Sequence, residues 1–211
     1  MTATDHTRAA NRQVLGQLPF HDDTDFENAR RGFIADSPSR RILNPDESIS
    51  FDLDTYGFVR NADAPDTVNP SLWRQSQLVS ITGLFEVVDG VYQVRNFDLS
   101  VMSFIRGETG WIVVDPLVTA APAAEALRLV QEHVADAPVV AVLSTHSHAD
   151  HFGGIEGVAD RSDIEAGRLR YVVPAGFVEE SISENVLAGN VMGRRASYMY
   201  GNAVPPLSLI H

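Results

Sequence analysis

The sequence predicts an α/β layered domain, and three of its features favour that class. Short apolar segments typical of β-strands fill the middle of the chain, and an amphipathic helix lies between two of them. A cluster of polar side chains directly follows the strand after that helix. Because ligands of α/β folds bind outside the carboxyl ends of strands, the same cluster marks the expected functional site.

Four strands are predicted before the helix. Phe85–Val88 and Val91–Val94 flank the pair Asp89-Gly90, which is typical of a type I′ turn and therefore predicts a β-hairpin. Two more strands are predicted at Val101–Ile105 and Trp111–Val114. Together these segments supply a sheet against which a helix can pack.

The helix is predicted between Pro122 and Val134. Its apolar residues recur at the spacing of one helical face, as Leu127, Val130 and Val134. A buried strand is predicted next, at Val139–Leu143, because this short apolar run is rich in β-branched residues. That strand leads directly into the polar cluster.

Beyond the cluster, Tyr171–Val173 predicts a further strand and Gly176–Val186 predicts a helix. This helix carries three glutamates, Glu179, Glu180 and Glu184. Carboxylates can bind metal, but a solvated helix face is the favoured interpretation of all three.

The chain is acidic, with 28 aspartates and glutamates against 16 lysines and arginines and a formal charge of −12. A nucleic-acid-binding surface needs a basic footprint, so the composition predicts no nucleic-acid partner. The chain has no cysteine, which excludes disulfides, thiolate metal sites and cysteine nucleophiles. Any metal must therefore be held by nitrogen and oxygen ligands.

Residues 1–75 are predicted to form an acidic, mostly irregular N-terminal extension with short helices, because apolar residues are sparse and prolines interrupt them. Residues 76–211 are predicted to form the α/β domain. No apolar run approaches the roughly 20 residues that a membrane span needs, and the first residues lack the features of a secretory signal. The expected location is therefore cytoplasmic.

The polar cluster places three imidazoles and one carboxylate close together in the chain, as His146, His148, Asp150 and His151. Imidazole nitrogen and carboxylate oxygen are ligands of Zn²⁺, at about 2.0–2.2 Å. An alternating His-x-His in extended chain sends both rings to one side, and the Asp-His pair that follows can face a second metal. The cluster therefore predicts a metal site suited to ester hydrolysis.

Asp115 comes directly after the predicted strand Trp111–Val114. Its carboxylate can turn inward to support the metal loop, or it can cap the end of the strand. The sequence favours neither role over the other.

Four stretches of the chain resemble a known family. Thr145–Gly154 is similar to the signature of the metallo-β-lactamase fold. Tyr92–Ser100, Gly110–Leu117 and Glu184–Gly201 narrow the resemblance to the alkyl sulfatases of that superfamily, which cleave dodecyl-sulfate-like esters. The resemblance extends from about residue 20 to about residue 206, and Glu184–Gly201 is its most specific part.

The resemblance implies an αββα sandwich of the metallo-β-lactamase type, of which this chain holds the N-terminal half and an N-terminal extension. The family pattern continues past residue 206 with two glutamates and a histidine that complete the metal shells, the sulfate-binding residues and a dimerisation region. We therefore expect an incomplete site, a sheet with one open apolar face, and a homodimer for the complete enzyme.

The resemblance also implies two Zn²⁺ ions in each active site. His146 and His148 would bind one ion, and Asp150 and His151 would bind the other, with Asp150 also orienting the nucleophile. A metal-bound hydroxide would attack the ester and release an alcohol and inorganic sulfate. The implied function is a zinc-dependent hydrolase of small-molecule alkyl sulfate esters.

Two other functions are consistent with the metal loop. The first is another hydrolase of the same fold, acting on a thioester, a lactone or a β-lactam. The second is non-enzymatic, a truncated chain that binds metal weakly or folds against a partner. Four ligands shared by two metals leave each metal with two protein ligands, whereas catalytic zinc usually has three.

Overall fold

The computed structural model describes residues 2–60 and 63–199. The last residues of the stretch Glu184–Gly201, Tyr200 and Gly201, therefore lie outside the described part of the chain.

The described residues contain nine strands, β1 Phe33–Ala35, β2 Arg41–Leu43, β3 Ile49–Asp52, β4 Gly83–Val88, β5 Val91–Arg95, β6 Met102–Arg106, β7 Trp111–Val114, β8 Val139–Leu143 and β9 Arg170–Val172.

Seven of these strands form one mixed sheet in the order β1-β4-β5-β6-β7-β8-β9. Neighbours from β1 to β7 are antiparallel, whereas β7, β8 and β9 run parallel to one another. The remaining two strands, β2 and β3, pair only with each other in a small antiparallel hairpin. The predicted α/β class, with a central sheet and packed helices, is confirmed.

Seven α-helices accompany the strands in the described residues. They are α1 Asp5–Gln17, α2 Thr24–Arg30, α3 Pro70–Val79, α4 Ala120–His133, α5 Arg161–Glu165, α6 Phe177–Ile182 and α7 Gly189–Met199. A π-helical turn, Ser183–Leu187, follows α6, and 3₁₀ turns occur at Gly57–Val59, Ala149–His151 and Ile155–Gly157. Among the described helices, none has both the length and the apolar character that crossing a membrane requires.

The predicted strands and the predicted helix before the polar cluster are confirmed within a few residues at each end. The type I′ turn is wrong, because that turn needs a positive φ at both central residues and only Gly90 has one, at 76°. An irregularity in the register between Glu86 and Val88 adjusts the strand pairing instead. Beyond the cluster, the predicted helix is split into α6 and the π-helical turn.

The core lies between α4 and one face of the seven-stranded sheet. Helix α4 buries a stripe of small and branched side chains, Ala123, Ala126, Leu129 and Val130, against the inward residues of β5, β6, β7 and β8. Trp111 is fully buried at the centre, where its ring meets Tyr92 and Phe104 edge-on. Its indole nitrogen donates to the carbonyl oxygen of Ala135 at 3.1 Å, so the polar edge of the ring is also satisfied.

The opposite face of the sheet is partly open and carries apolar and polar residues. The strand register places Val91, Ile105 and Ile112 in one row, and strand periodicity turns this row away from the core residues. Ile105 on this face is 38% exposed, and Val172 of β9 is 49% exposed. The expected open face is therefore present, but its apolar residues lie beside polar ones, since Gln93 and Ser103 share the face.

The described chain groups by contacts into two compact units. One comprises the described parts of residues 1–30, 55–81 and 190–211, and the other comprises residues 31–54 and 82–189. Strand β1 lies inside the predicted extension of residues 1–75, yet it pairs with β4 in the main sheet. The division at residue 75 into an extension and a domain stays a prediction.

The first unit contains more regular helix than the sparse apolar content of residues 1–75 suggests. Helix α1 begins at an N-cap, Thr4, whose hydroxyl accepts from the backbone of Thr7, and α3 begins at Asn69, which caps the backbone of Ser71. Arg74 of α3 stacks over the ring of Phe26 at 4.7 Å. Local capping therefore stabilises α1, which buries no residue, whereas α3 also buries Trp73.

Two glycines let the chain after β8 pass close to the chain after β7. A Cβ on Gly153 would lie 2.2 Å from the carbonyl oxygen of Val118, and one on Gly154 would lie 2.0 Å from that of Pro116. The backbone N–H of Gly154 also donates to the carbonyl oxygen of Leu117 at 3.0 Å. The glycine pair is therefore required for two loops of the second unit to meet.

We expect Gly154→Ala to lower the free energy of unfolding by about 1–3 kcal/mol, because the new methyl group overlaps backbone that cannot move freely. Urea unfolding followed by circular dichroism measures the change. The matched control is Gly16→Ala in α1, where a Cβ meets no atom within 4 Å. This control should leave stability unchanged or raise it by up to about 1 kcal/mol. Equal midpoints for the two variants would contradict the close approach.

Candidate metal centre

The candidate site lies at one edge of the seven-stranded sheet. Strands β7, β8 and β9 are parallel, and β5 points the same way because both it and β7 are antiparallel to β6. The carboxyl ends of all four strands therefore meet at the same edge, where α/β folds bind their ligands. The predicted ligands are in the loop that follows β8.

The three predicted histidines are brought together in this loop. The ring centroids of His146 and His148 are 4.5 Å apart, and those of His146 and His151 are 4.1 Å apart. The 3₁₀ turn Ala149–His151 reverses the chain, and the N–H of His151 donates to the carbonyl oxygen of His148 at 3.0 Å. This turn is what returns the third imidazole to the first two.

Asp150 and His151 have the spacing of two ligands on one metal. The Oδ2 of Asp150 lies 3.3 Å from the Nε2 of His151. Two ligands at about 2.0–2.1 Å from a tetrahedral ion are themselves about 3.3–3.4 Å apart, so this distance suits Zn²⁺. The other ring nitrogen of His151, Nδ1, is buried without a hydrogen bond, although it lies 3.0 Å from the Oδ2 of Asp115.

Asp115 supports the metal loop from the end of β7. Its carboxylate accepts hydrogen bonds from the N–H and the hydroxyl of Thr145, each at 2.8 Å, and its other contact is with His151. Only 9% of the residue is exposed. Of the two roles considered from the sequence, the inward one is confirmed. The backbone of Asp115 has a φ of 56°, which turns the side chain toward the loop.

A second carboxylate, Asp98, orders the chain on the other side of Asp150. Asp98 accepts from the backbone of Ser100 at 2.9 Å and of Val118 at 2.7 Å. The hydroxyl of Ser100 in turn donates to the Oδ2 of Asp150 at 2.9 Å. Sequence reasoning assigned no role to Asp98 or Ser100, and the available signal was their position in the stretch Tyr92–Ser100.

The pKa of Asp98 is raised, chiefly because burial disfavours the charged carboxylate, and the negative charge of Asp150 adds to the effect. A carboxyl group whose pKa is higher in the folded than in the unfolded state contributes most to stability at low pH. That contribution is lost as the pH rises through the folded-state pKa. At neutral pH, therefore, a positive charge beside Asp150 and Asp98 would relieve an unfavourable interaction.

The prediction that all three glutamates lie on a solvated helix face is wrong for Glu184. Its Oε1 lies 3.1 Å from the Nε2 of His148, and its side chain is only 28% exposed. Glu179 and Glu180 are exposed, as a solvated face predicts. In a continuous α-helix Glu180 and Glu184 would share a face, but the π-helical turn Ser183–Leu187 shifts the phase between them.

The donor atoms of this loop are suited to form part of the coordination shell of a divalent metal ion. Nitrogen and oxygen ligands are present, and the pair Asp150 and His151 has a suitable spacing. Across residues 2–60 and 63–199, however, no three His, Asp or Glu side chains converge closely enough to hold an ion as they stand. The assignment of His146, His148, Asp150 and His151 as metal ligands stays a prediction.

Comparison with known proteins agrees with this fold. Residues 95–209 match the model of the metallo-beta-lactamase superfamily. The match begins at the end of β5 and includes the whole loop after β8. The chain therefore belongs to the metallo-beta-lactamase superfamily.

Within that superfamily, the chain is similar to proteins described as alkylsulfatases. A linear primary-alkylsulfatase from a Pseudomonas species is 52% identical over 205 residues, which cover 97% of this chain and 30% of that protein. An (R)-specific secondary-alkylsulfatase, also from Pseudomonas, is 47% identical over 199 residues, or 94% of this chain and 30% of its own length. An alkyl/aryl-sulfatase of Saccharomyces cerevisiae is 43% identical and is covered over 31% of its length.

A solved structure gives the same result. The stereoselective inverting sec-alkylsulfatase Pisa1 from Pseudomonas superimposes with a TM-score of 0.89 at 46% sequence identity. The superposition covers 97% of this chain and 32% of that protein. The chain thus spans about a third of the length of the relatives it matches.

We expect Asp115→Asn to weaken zinc binding by the full-length protein about 10–100-fold, the usual effect of removing a group that orients a ligand. Asparagine tolerates a positive φ, so the backbone is preserved while the charge beside His151 is lost. Calorimetric titration measures the affinity. Asp136→Asn is the matched control, because Asp136 is exposed. Unchanged affinity in Asp115→Asn would contradict a supporting role for this carboxylate.

Proposed function

We propose that this chain forms the N-terminal, metal-ligating part of a zinc-dependent hydrolase of alkyl sulfate esters. The observation that carries the proposal is the loop after β8, where three imidazoles lie together and Asp150 stands 3.3 Å from His151. Three relatives at 43–52% identity are described as sulfatases of alkyl esters, which supports the substrate class. The relative from Saccharomyces cerevisiae is described as a sulfatase of both alkyl and aryl esters.

The predicted division of the ligands is retained in the proposal. His146 and His148 would hold one metal ion, and Asp150 and His151 would hold the other. A bound divalent ion supplies a Lewis acid and lowers the pKa of bound water toward neutrality. Two ions in each site, and a homodimer for the complete protein, stay predictions.

Neighbouring residues of this chain hold the proposed ligands in defined orientations. The hydroxyl of Thr145 lies 3.0 Å from the Nδ1 of His146, which leaves Nε2 as the free nitrogen of that ring. Asp115 lies beside the Nδ1 of His151, so the Nε2 of that ring faces Asp150. Because the ligands are held in place by neighbours, less ordering is needed when an ion binds.

Ser100 has a separate effect on Asp150. Its hydroxyl occupies one side of the Oδ2 atom and so fixes the plane of the carboxylate. A carboxylate held in this way can both bind metal and accept a proton from a nearby water. This arrangement supports the proposed role of Asp150 in orienting the nucleophile.

The charge of the chain also favours a metal-dependent mechanism for an anionic substrate. The formal charge is −12, and Asp98, Asp115 and Asp150 all lie at the site. A sulfate ester would be repelled from such a surface unless cations reverse the local potential. Bound divalent ions would do so at the place where the ester must react.

The proposal is tested by the release of inorganic sulfate from dodecyl sulfate by the full-length protein. His146→Ala should reduce the rate at least about 100-fold, because it removes a proposed ligand of the metal that activates water. The matched control is His133→Ala, since His133 is exposed at the end of α4. Equal rates for wild type and His146→Ala, or faster cleavage of a thioester, lactone or β-lactam, would overturn the assignment.

Removal of the metal is an independent prediction. Dialysis against a strong chelator should abolish sulfate release, and added Zn²⁺ should restore it, because the proposed attacker is a water activated by the bound metal. The readout is the rate before chelation, after chelation and after Zn²⁺ addition, together with the metal content by elemental analysis. Full activity in protein free of metal would refute zinc dependence.

A further inference from the structure

We propose that Glu184 is a positioning residue for His148. It holds the imidazole through Nε2, so that Nδ1 is the nitrogen left to bind metal. The inference deepens the proposed function and rests on it for the identity of the metal ligand. The Oε1 of Glu184 lies 3.1 Å from the Nε2 of His148.

The chemistry of the two groups decides which nitrogen carries the proton. An ionised carboxylate can only accept a hydrogen bond, whereas a neutral imidazole has one N–H donor and one lone pair. With Glu184 at hydrogen-bonding distance, the favoured tautomer of His148 has its hydrogen on Nε2. The lone pair is then on Nδ1. Two unprotonated atoms facing each other across that gap would repel.

A partner matters for His148 because its ring is poorly enclosed. The side chain of His148 is 54% exposed, whereas that of His151 is 23% exposed. A half-exposed ring held only by its neighbour His146 could turn between rotamers and tautomers. A carboxylate beside the outer nitrogen restricts both, as outer carboxylates do for metal-binding histidines in general.

The helix that carries Glu184 is fixed to the metal loop by a second contact. The ring of Phe177, at the start of α6, packs edge-on against Phe152 of the loop with centroids 5.2 Å apart. Inside the π-helical turn, the amide of Asn185 donates to the carbonyl oxygen of Ser181 at 2.9 Å. The segment is thus anchored at one end and braced internally, and Glu184 is presented from a defined position.

The arrangement parallels the one at His151. Asp115 lies beside the Nδ1 of His151, and Glu184 lies beside the Nε2 of His148. Each proposed metal would therefore have one histidine braced by an outer carboxylate. The two carboxylates come from different parts of the chain, Asp115 from the end of β7 and Glu184 from the helical segment beyond β9.

The first test is a long-range ¹H–¹⁵N spectrum of the histidine rings in the metal-free 211-residue chain. It is recorded near pH 8 for the wild type and for every variant. The Nε2–H tautomer of His148 should dominate in the wild type. In Glu184→Ala it should give way to a mixture, while Glu184→Gln, which keeps an acceptor oxygen, should retain part of the preference. Glu180→Ala is the matched control, because Glu180 is exposed on the same helix.

The second test is zinc affinity of the full-length variants by calorimetry. Glu184→Ala should bind about 10–100-fold more weakly than wild type, and Glu180→Ala should bind as wild type does. An unchanged His148 tautomer in Glu184→Ala would overturn the inference. Lost zinc affinity with that tautomer unchanged would make Glu184 a direct ligand and would overturn it as well.

Failure of the proposed function is a different result. In that case the wild-type protein would release no sulfate and bind no zinc. The tautomer of His148, measured on the chain without metal, would still decide the role of Glu184. Circular dichroism of Glu184→Ala and Glu184→Gln verifies that both variants fold. Because the Glu184 side chain is partly exposed, neither substitution opens a core cavity.

Discussion

The contact between the carboxylate of Asp115 and the loop after β8 is the constraint on which the rest of the site depends. It joins the ends of two parallel strands, because Asp115 follows β7 and accepts two hydrogen bonds from Thr145, which follows β8. The same carboxylate lies beside His151 at the far end of the loop. Beginning and end of the metal motif are thereby held by one buried side chain, and removing its charge would release both.

Packing of the sheet makes that contact possible. Trp111 and Val113 of β7 are fully buried against α4, which fixes the position of the strand from which Asp115 projects. The glycine pair Gly153 and Gly154 then lets the loop return within van der Waals distance of the chain after β7. A hydrophobic core on one side of the sheet and a close backbone approach at its edge thus combine to place four polar side chains within a few ångströms.

The site concentrates negative charge in a chain that is already acidic. Asp98 and Asp150 interact unfavourably across Ser100, and the pKa of Asp98 is raised by its burial and by that neighbouring charge. Divalent cations would satisfy the carboxylates and present positive potential to an anionic ester. Bound cations would therefore both reduce the repulsion between the carboxylates and attract the proposed anionic substrate.

Local chemistry determined what the sequence could predict. Strands β4 to β9, helix α4 and the four candidate ligands were predictable, because strand and helix periodicities and a dense run of His and Asp are properties of neighbouring residues. Strands β1, β2 and β3 were not predicted, because they lie in the segment of residues 1–75 where apolar residues are sparse. Tertiary structure decided the rest. The direction of β5 relative to β7 brings Asp98 and Ser100 to the site, and the π-helical turn carries Glu184 to His148. Both depend on strand order and helix phase, which join residues far apart in the chain, and no local pattern encodes such distances.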